Sequence, residues 1–214
     1  MANVLQIDFE QPDTCKKAIE NIQSVLNTGG VIAFPTDTFY GLGADPLNPN
    51  ALSKIFQIKQ RPSDKPLLVL IHSLDQLAGL TAEVNDNARK LMEHFWPGPL
   101  TLIFKAAPGL PDVLTAGTGT IGIRLPGHPF TRKLLAALDR PLTAPSANIS
   151  GAGEPLSAQE VKNELGDGLS LIVDGGPTPG GKPSTLLDTT TNPPTLIREG
   201  GLSRSVVESV LPVQ

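Results

Sequence analysis

The chain has 214 residues, 39% of them hydrophobic, enough to bury one well-formed α/β core. Its charge sums to −4, which argues against a broad electrostatic grip on RNA or DNA but leaves room for a local positive pocket. The single cysteine, Cys15, excludes an intrachain disulfide and fits a reducing compartment; its helical spacing with Ala18, Ile22, Val25 and Leu26 makes it a core residue. No basic-then-apolar leader opens the chain and no apolar run would span a bilayer, so a soluble, cytoplasmic protein is expected. The 21 prolines sit at element boundaries and read as fixed turns.

In chain order, residues 4–9 predict a first strand. Residues 14–27 have helical spacing, and Gly29-Gly30 stops the helix. Residues 30–34 form a buried strand ending at Pro35. Asn50 is placed as the cap of the next helix, with Leu52, Ile55 and Phe56 facing inward and Pro62 ending it. Residues 67–72 predict a strand, 85–96 a helix, and W-P-G-P a rigid break before a strand at 100–105. A strand at 120–125 puts Thr120, Gly122 and Arg124 on one face. Helices follow at 128–138 and 157–165, around a short strand at 141–144. A strand at 169–174 leads into the loop G-G-P-T-P-G-G-K-P, a candidate lid. Residues 184–190 and 195–198 form a hairpin, and a helix at 203–211 closes the chain under a Ser203 cap. The alternation predicts an α/β protein with a mixed, twisted sheet and flanking helices.

Four segments carry chemistry. Lys59, Arg61 and Lys65 cluster around Pro62, before a strand, in an otherwise acidic chain. Such a group can grip phosphate oxygens, whereas Lys54 reads as a solvated helix lysine. In P-T-D-T-F-Y-G-L-G, Thr36 and Thr38 offer hydroxyls at a strand end, where α/β ligands commonly sit; an ordinary turn is the other reading. Its glycines let the backbone approach a ligand closely, and Gly41 would need φ > 0 if it turns the chain. G-L-G is not a dinucleotide fingerprint, because the third glycine and an immediate helix are missing. In A-P-S-A-N-I-S-G, Ser146 and Asn148 project on one side of an extended segment, or the stretch is an Asn-Ser-Gly turn. Ser146 is not in G-x-S-x-G, and His72, His94 and His128 have no evident pairing with it. Arg124 and Arg198 lie on apolar strands and need anionic partners, from the protein or from a ligand.

F-P-T-D-T-F-Y-G-L-G, the K-x-R of Lys59 and Arg61, W-P-G-P-L-T, I-R-L-P, A-P-S-A-N-I-S-G, P-S-T-L-L-D and I-R-E-G occur here in one order. With them the sequence resembles the YrdC/TsaC family of L-threonylcarbamoyladenylate synthases over nearly the whole chain. The resemblance implies a single YrdC-like domain over residues 1–214, with a concave central pocket. It implies condensation of L-threonine, bicarbonate and ATP to threonylcarbamoyl-AMP and pyrophosphate, for threonylcarbamoyladenosine in tRNA. It assigns threonine to Thr38, Arg124, the Ala144 backbone and Ser184. It assigns ATP to Arg61, Lys65, Thr120, Ser146, Asn148 and Arg198, and makes Lys59 and Arg61 the catalytic pair. Any metal would be Mg²⁺ held largely by phosphates and water, with no dedicated protein site. Further partners would be the downstream threonylcarbamoyl transferase complex and tRNA. Some relatives carry a histidine near the position of Leu70; here His72 lies two residues on. Longer relatives have a second, C-terminal domain, so this chain resembles the catalytic domain alone. The alternative is a non-catalytic RNA-binding module of the same fold.

Overall fold

A computed structural model describes residues 2–214. The strands are β1 (Asn3–Gln6), β2 (Ile32–Phe34), β3 (Gly41–Gly43), β4 (Leu68–Leu70), β5 (Leu100–Lys105), β6 (Thr120–Arg124), β7 (Leu142–Thr143), β8 (Leu171–Asp174), β9 (Thr185–Asp188) and β10 (Thr195–Arg198). The helices are α1 (Pro12–Asn27), α2 (Pro49–Lys59), α3 (Asp86–Phe95), α4 (Asp112–Thr115), α5 (Pro129–Leu138), α6 (Ala158–Leu165) and α7 (Arg204–Glu208), with a 3₁₀ turn at Leu74–Gly79.

The strands form two mixed sheets, ordered β1-β8-β2-β3 and β10-β9-β5-β6-β4-β7. The expected mixed sheet is therefore divided, but its halves are stitched together. Leu42 N donates to Pro145 O at 2.8 Å, Ala147 N to Tyr40 O at 2.8 Å, and Thr143 N to Ala44 O at 3.0 Å. Gly41 and Ser146 are the bridged pair at this seam. The late hairpin is present, as β9 antiparallel to β10.

Both faces of the first sheet are covered, which is why β2 and β8 read as unbroken apolar runs. Ile32, Phe34, Leu171 and Val173 pack with Ile19, Ile22 and Leu26 of α1 and Leu134, Leu135 and Leu138 of α5. Ala33 and Ile172 point the other way, toward Leu52 and Ile55 of α2 and Val161 and Leu165 of α6. Cys15 is half-buried against the α1 and α5 side.

Three local expectations change. The first strand is shorter, and α1 begins at Pro12. The cap of α2 is Asn48, not Asn50: Asn48 Oδ1 accepts from Asn50 N at 3.1 Å and Ala51 N at 3.2 Å. Pro49 then takes the first helical position, where its missing N–H is no loss. The G-L-G turn is strand β3, and neither Gly41 nor Gly43 has positive φ. Their need is space: a Cβ on Gly43 would lie 2.8 Å from Phe34 Cε1, and one on Gly41 3.3 Å from Ala144 Cβ.

Replacing Asn48 by alanine should cost about 1 kcal/mol, the worth of a side-chain cap. Asn50→Ala should stay within about 0.5 kcal/mol, as for an exposed position without such a contact. Urea denaturation of both variants checks this, and equal losses would contradict the cap assignment.

Candidate functional site

One cavity of about 520 Å³ lies against the seam. Strand β6 supplies Thr120, Gly122 and Arg124 from one face, as their alternation requires. Strand β5 adds Thr101 and Ile103, and the start of the hairpin adds Ser184 and Leu186. Ile197 and Arg198 come from β10, and Thr36, Thr38–Gly41 and Ala144–Ser146 come from the seam. The exit of α2 brings Arg61 and Lys65 to the rim. Thus Thr38, Arg61, Lys65, Thr120, Arg124, Ala144, Ser146, Ser184 and Arg198 share one hollow, though they span 161 positions of sequence (198 − 38 + 1).

Lys59 and Asn148 stand apart from that lining. They face an adjoining hollow of about 440 Å³, which shares Arg61, Lys65, Ser146 and Glu154 as a common wall. Lys59 is only 2% exposed. Its ammonium donates to Ser146 O, to Asn148 O at 2.8 Å and to Asn148 Oδ1 at 3.1 Å. Asn148 Oδ1 also accepts from Ser146 Oγ at 2.7 Å, and its amide donates to Ala152 O at 2.8 Å. Lys59 therefore pins the S-A-N segment to the end of α2. Burial first, and the Arg61 charge second, push its ammonium down to about 8.

The cations are held loosely on the cavity side. Arg61 Nη2 donates to Pro66 O at 3.1 Å, while its buried Nε has no hydrogen-bond partner among the described residues. Burial lowers the pKa of Arg61 and of Arg124, each against one carboxylate: Asp64 beside the first, Asp37 beside the second. Arg124 is 2% exposed and its Nε is also unpartnered. Arg198 donates to Ser184 O from Nη2 at 2.9 Å and from Nε at 3.3 Å. Arg61, Lys65, Arg124 and Arg198 face a single lining carboxylate, that of Glu154, on an exposed residue at the mouth. Such a hollow favours anions with several charges.

Hydroxyls supply the neutral polar groups. Thr36 Oγ1 lies 3.1 Å from Thr38 Oγ1 and donates to Phe39 O at 2.8 Å. Thr101 and Ser184 share a hydrogen bond of 2.8 Å on the cavity floor. Thr120 Oγ1 pairs with Thr118 Oγ1 at 2.9 Å. The 175–183 loop is tied to the turn: Gly180 N donates to Thr38 O at 2.9 Å, and Tyr40 Oη to Gly176 O at 2.7 Å.

His72 does not reach the cavity. It lies beyond the end of β4, with Nε2 3.0 Å from Asp139 Oδ1. Lys54 is likewise distant in role, donating to Gly29 O at 2.6 Å. Among the described residues, no three His, Cys, Asp or Glu side chains gather as a metal site. No helix among them is long and apolar enough to cross a membrane. Sequence reasoning missed Thr101, Tyr40 and Glu154 as lining residues, and Asp37 behind Arg124. The alternation of β5 carried a signal for Thr101, which shares its strand face with Ile103.

The chain is similar to proteins already characterised by name and by structure. The threonylcarbamoyl-AMP synthase of Pyrococcus abyssi is 44% identical over 87% of this chain and 55% of its own. That of Bacillus subtilis is 43% identical over 90% of this chain and 56% of its own. The chain thus spans about half the length of these two relatives. The crystal structure of P. abyssi Sua5 complexed with L-threonine matches with a TM-score of 0.90 at 38% identity, covering 100% of this chain and 62% of the other. A family model described as "Telomere recombination", that of the Sua5, YciO and YrdC proteins, matches residues 24–200. The chain belongs to the Sua5/YciO/YrdC family.

Proposed function

We propose that this chain is an L-threonylcarbamoyladenylate synthase, and that residues 1–214 act as one catalytic domain. The observation that carries the reading is the convergence of Arg61, Lys65, Arg124 and Arg198 with Thr38, Ser146 and Ser184 around one cavity. Its relatives' names and the threonine-bound Sua5 structure support the same reading. The product would serve tRNA threonylcarbamoyladenosine synthesis in the cytoplasm, through a downstream transferase complex. A narrow cationic hollow in a chain of net charge −4 favours a small polyanion over an RNA surface.

The chemistry asks for positioning more than for a strong base. The threonine amine attacks bicarbonate, giving a carbamate and water. A carbamate oxygen then attacks the α-phosphorus, and pyrophosphate leaves with the electrons of the broken P–O bond. Charge neutralisation and alignment are the protein's part in such a transfer. Arg124, a buried guanidinium in the cavity lining with one loose carboxylate beside it, is suited to the threonine carboxylate. Thr38, Ser184 and the Ala144 backbone would complete that subsite. Arg61, Lys65, Thr120, Ser146 and Arg198 would hold the nucleotide. Lys59 and Asn148 would act on it through Ser146, whose segment they fix. Glu154 is the lining carboxylate suited to a hard cation, with phosphate oxygens and water as the other ligands. Mg²⁺ so held would offset phosphate charge.

Three measurements test this reading. With ATP, Mg²⁺, bicarbonate and labelled threonine, the folded protein should release pyrophosphate only when threonine is present. No threonine-dependent release would overturn the assignment. Arg61→Ala should weaken ATP binding by about one to two decades, the worth of one charge-assisted contact of roughly 1.5–3 kcal/mol. Unchanged affinity by calorimetry would remove Arg61 from the nucleotide subsite.

The third measurement is a pH profile. Lys59 in the folded chain loses its proton near pH 8, well below the ordinary lysine value of about 10.4. Above that pH a neutral amine has two hydrogens for three oxygen acceptors. ATP affinity should therefore fall on the alkaline side with a midpoint near the same pH. In Lys59→Arg, whose charge persists, that limb should vanish. A flat profile in the unmodified protein up to pH 9.5, about 1.5 units above that value, would contradict the pinning role.

A further inference from the structure

Asp37 stands outside the cavity lining, behind Arg124. Its Oδ1 lies 3.4 Å from Arg124 Nη2, and the two side chains are 13% and 2% exposed. The engagement is loose. Asp37 Oδ1 and Arg124 Nε both lack a hydrogen-bond partner among the described residues. Asp37 Oδ2 receives only a long bond, 3.4 Å, from Gly127 N. A buried ion pair offsets its desolvation only when geometry is good and the remaining sites are satisfied. This one meets neither condition.

From this geometry we infer that Asp37 is a positioning residue that sets how strongly Arg124 holds a ligand carboxylate. The inference rests on the proposed reading, in which the cavity takes an amino acid. Asp37 is the carboxylate that partly compensates the buried guanidinium when the cavity holds no anion. At 3.4 Å from Nη2 it leaves the guanidinium without a close carboxylate hydrogen bond. A carboxylate entering the cavity then shares the guanidinium with Asp37 and feels its repulsion. The grip on the amino acid is weakened by a charge that never touches it.

Asp37→Asn separates this from a purely structural role. Without the second anion, the ligand carboxylate becomes the main counter-ion of Arg124. The variant should melt at a lower temperature than the unmodified protein when no ligand is present. Its preference for threonine over threoninamide, read as the ratio of Kd values, should rise about tenfold, the scale of one charge-assisted contact. A merely structural role would lower Tm and weaken both ligands alike. An unchanged or reduced ratio overturns the proposal.

If Asp37→Asn does not fold, the double variant Asp37→Asn/Arg124→Gln provides the second test. Removing both charges should restore a cooperative melt, because no uncompensated cation is then left inside. A double variant no more stable than Asp37→Asn overturns the proposal. The two readings fail differently. If the unmodified protein does not distinguish threonine from threoninamide, the amino-acid subsite is wrong. The melting comparison still decides whether Asp37 acts through Arg124.

Discussion

The cavity exists because two sheets are hydrogen-bonded along a seam that neither closes alone. Strand β3 contributes three residues, and the segment running from β7 through Ala147 answers it. Four neighbouring backbone positions, Tyr40, Leu42, Pro145 and Ala147, set the angle at which the halves meet. Close approach there is possible because Gly41 and Gly43 carry no side chain against Ala144 and Phe34. Thr38 and Ser146 line the same cavity as a result, although one lies in the turn between β2 and β3 and the other follows β7.

Charge is arranged around that seam in two layers. Lys59 lies behind the wall, saturated by oxygens of the S-A-N segment. Arg61, Lys65, Arg124 and Arg198 line the cavity, and the buried Nε atoms of Arg61 and Arg124 have no partner among the described residues. A saturated buried cation holds shape, while cations with unused donors hold ligands. The division explains how one short motif, K-Q-R, can serve both ends: Lys59 ends α2 inside the protein, and Arg61 emerges past the left-handed Gln60 into the cavity.

Much of the fold was legible because its signals are local. The apolar spacing of α1, the stop at Gly29 and the alternation of β6 survive into the structure, and α2 ends at a left-handed Gln60 shortly before Pro62. Strand β3 was not legible, because G-L-G has poor strand propensity and is held extended by a partner 103 residues away, Leu42 bonding to Pro145. The cap of α2 was misread although Pro49 pointed to Asn48. At the site, the hydroxyl and cation residues stood out by motif and resemblance. The placement of Lys59 did not, since its partners Ser146 and Asn148 lie 87 and 89 residues on. Asp37 was hidden for the same reason: its significance comes only from the guanidinium that β6 delivers beside it.

Glu154 gives the cavity an uneven entrance. It is the one lining carboxylate, it is exposed, and it feels the charges of Arg198 and Lys59 from the lip. An anion in the cavity meets its one like charge there, among the cations of Arg61, Lys65, Arg124 and Arg198. Opposition of that kind is smaller for an anion that already travels with a metal ion than for a bare one. One carboxylate so placed would favour a masked charge over a bare one.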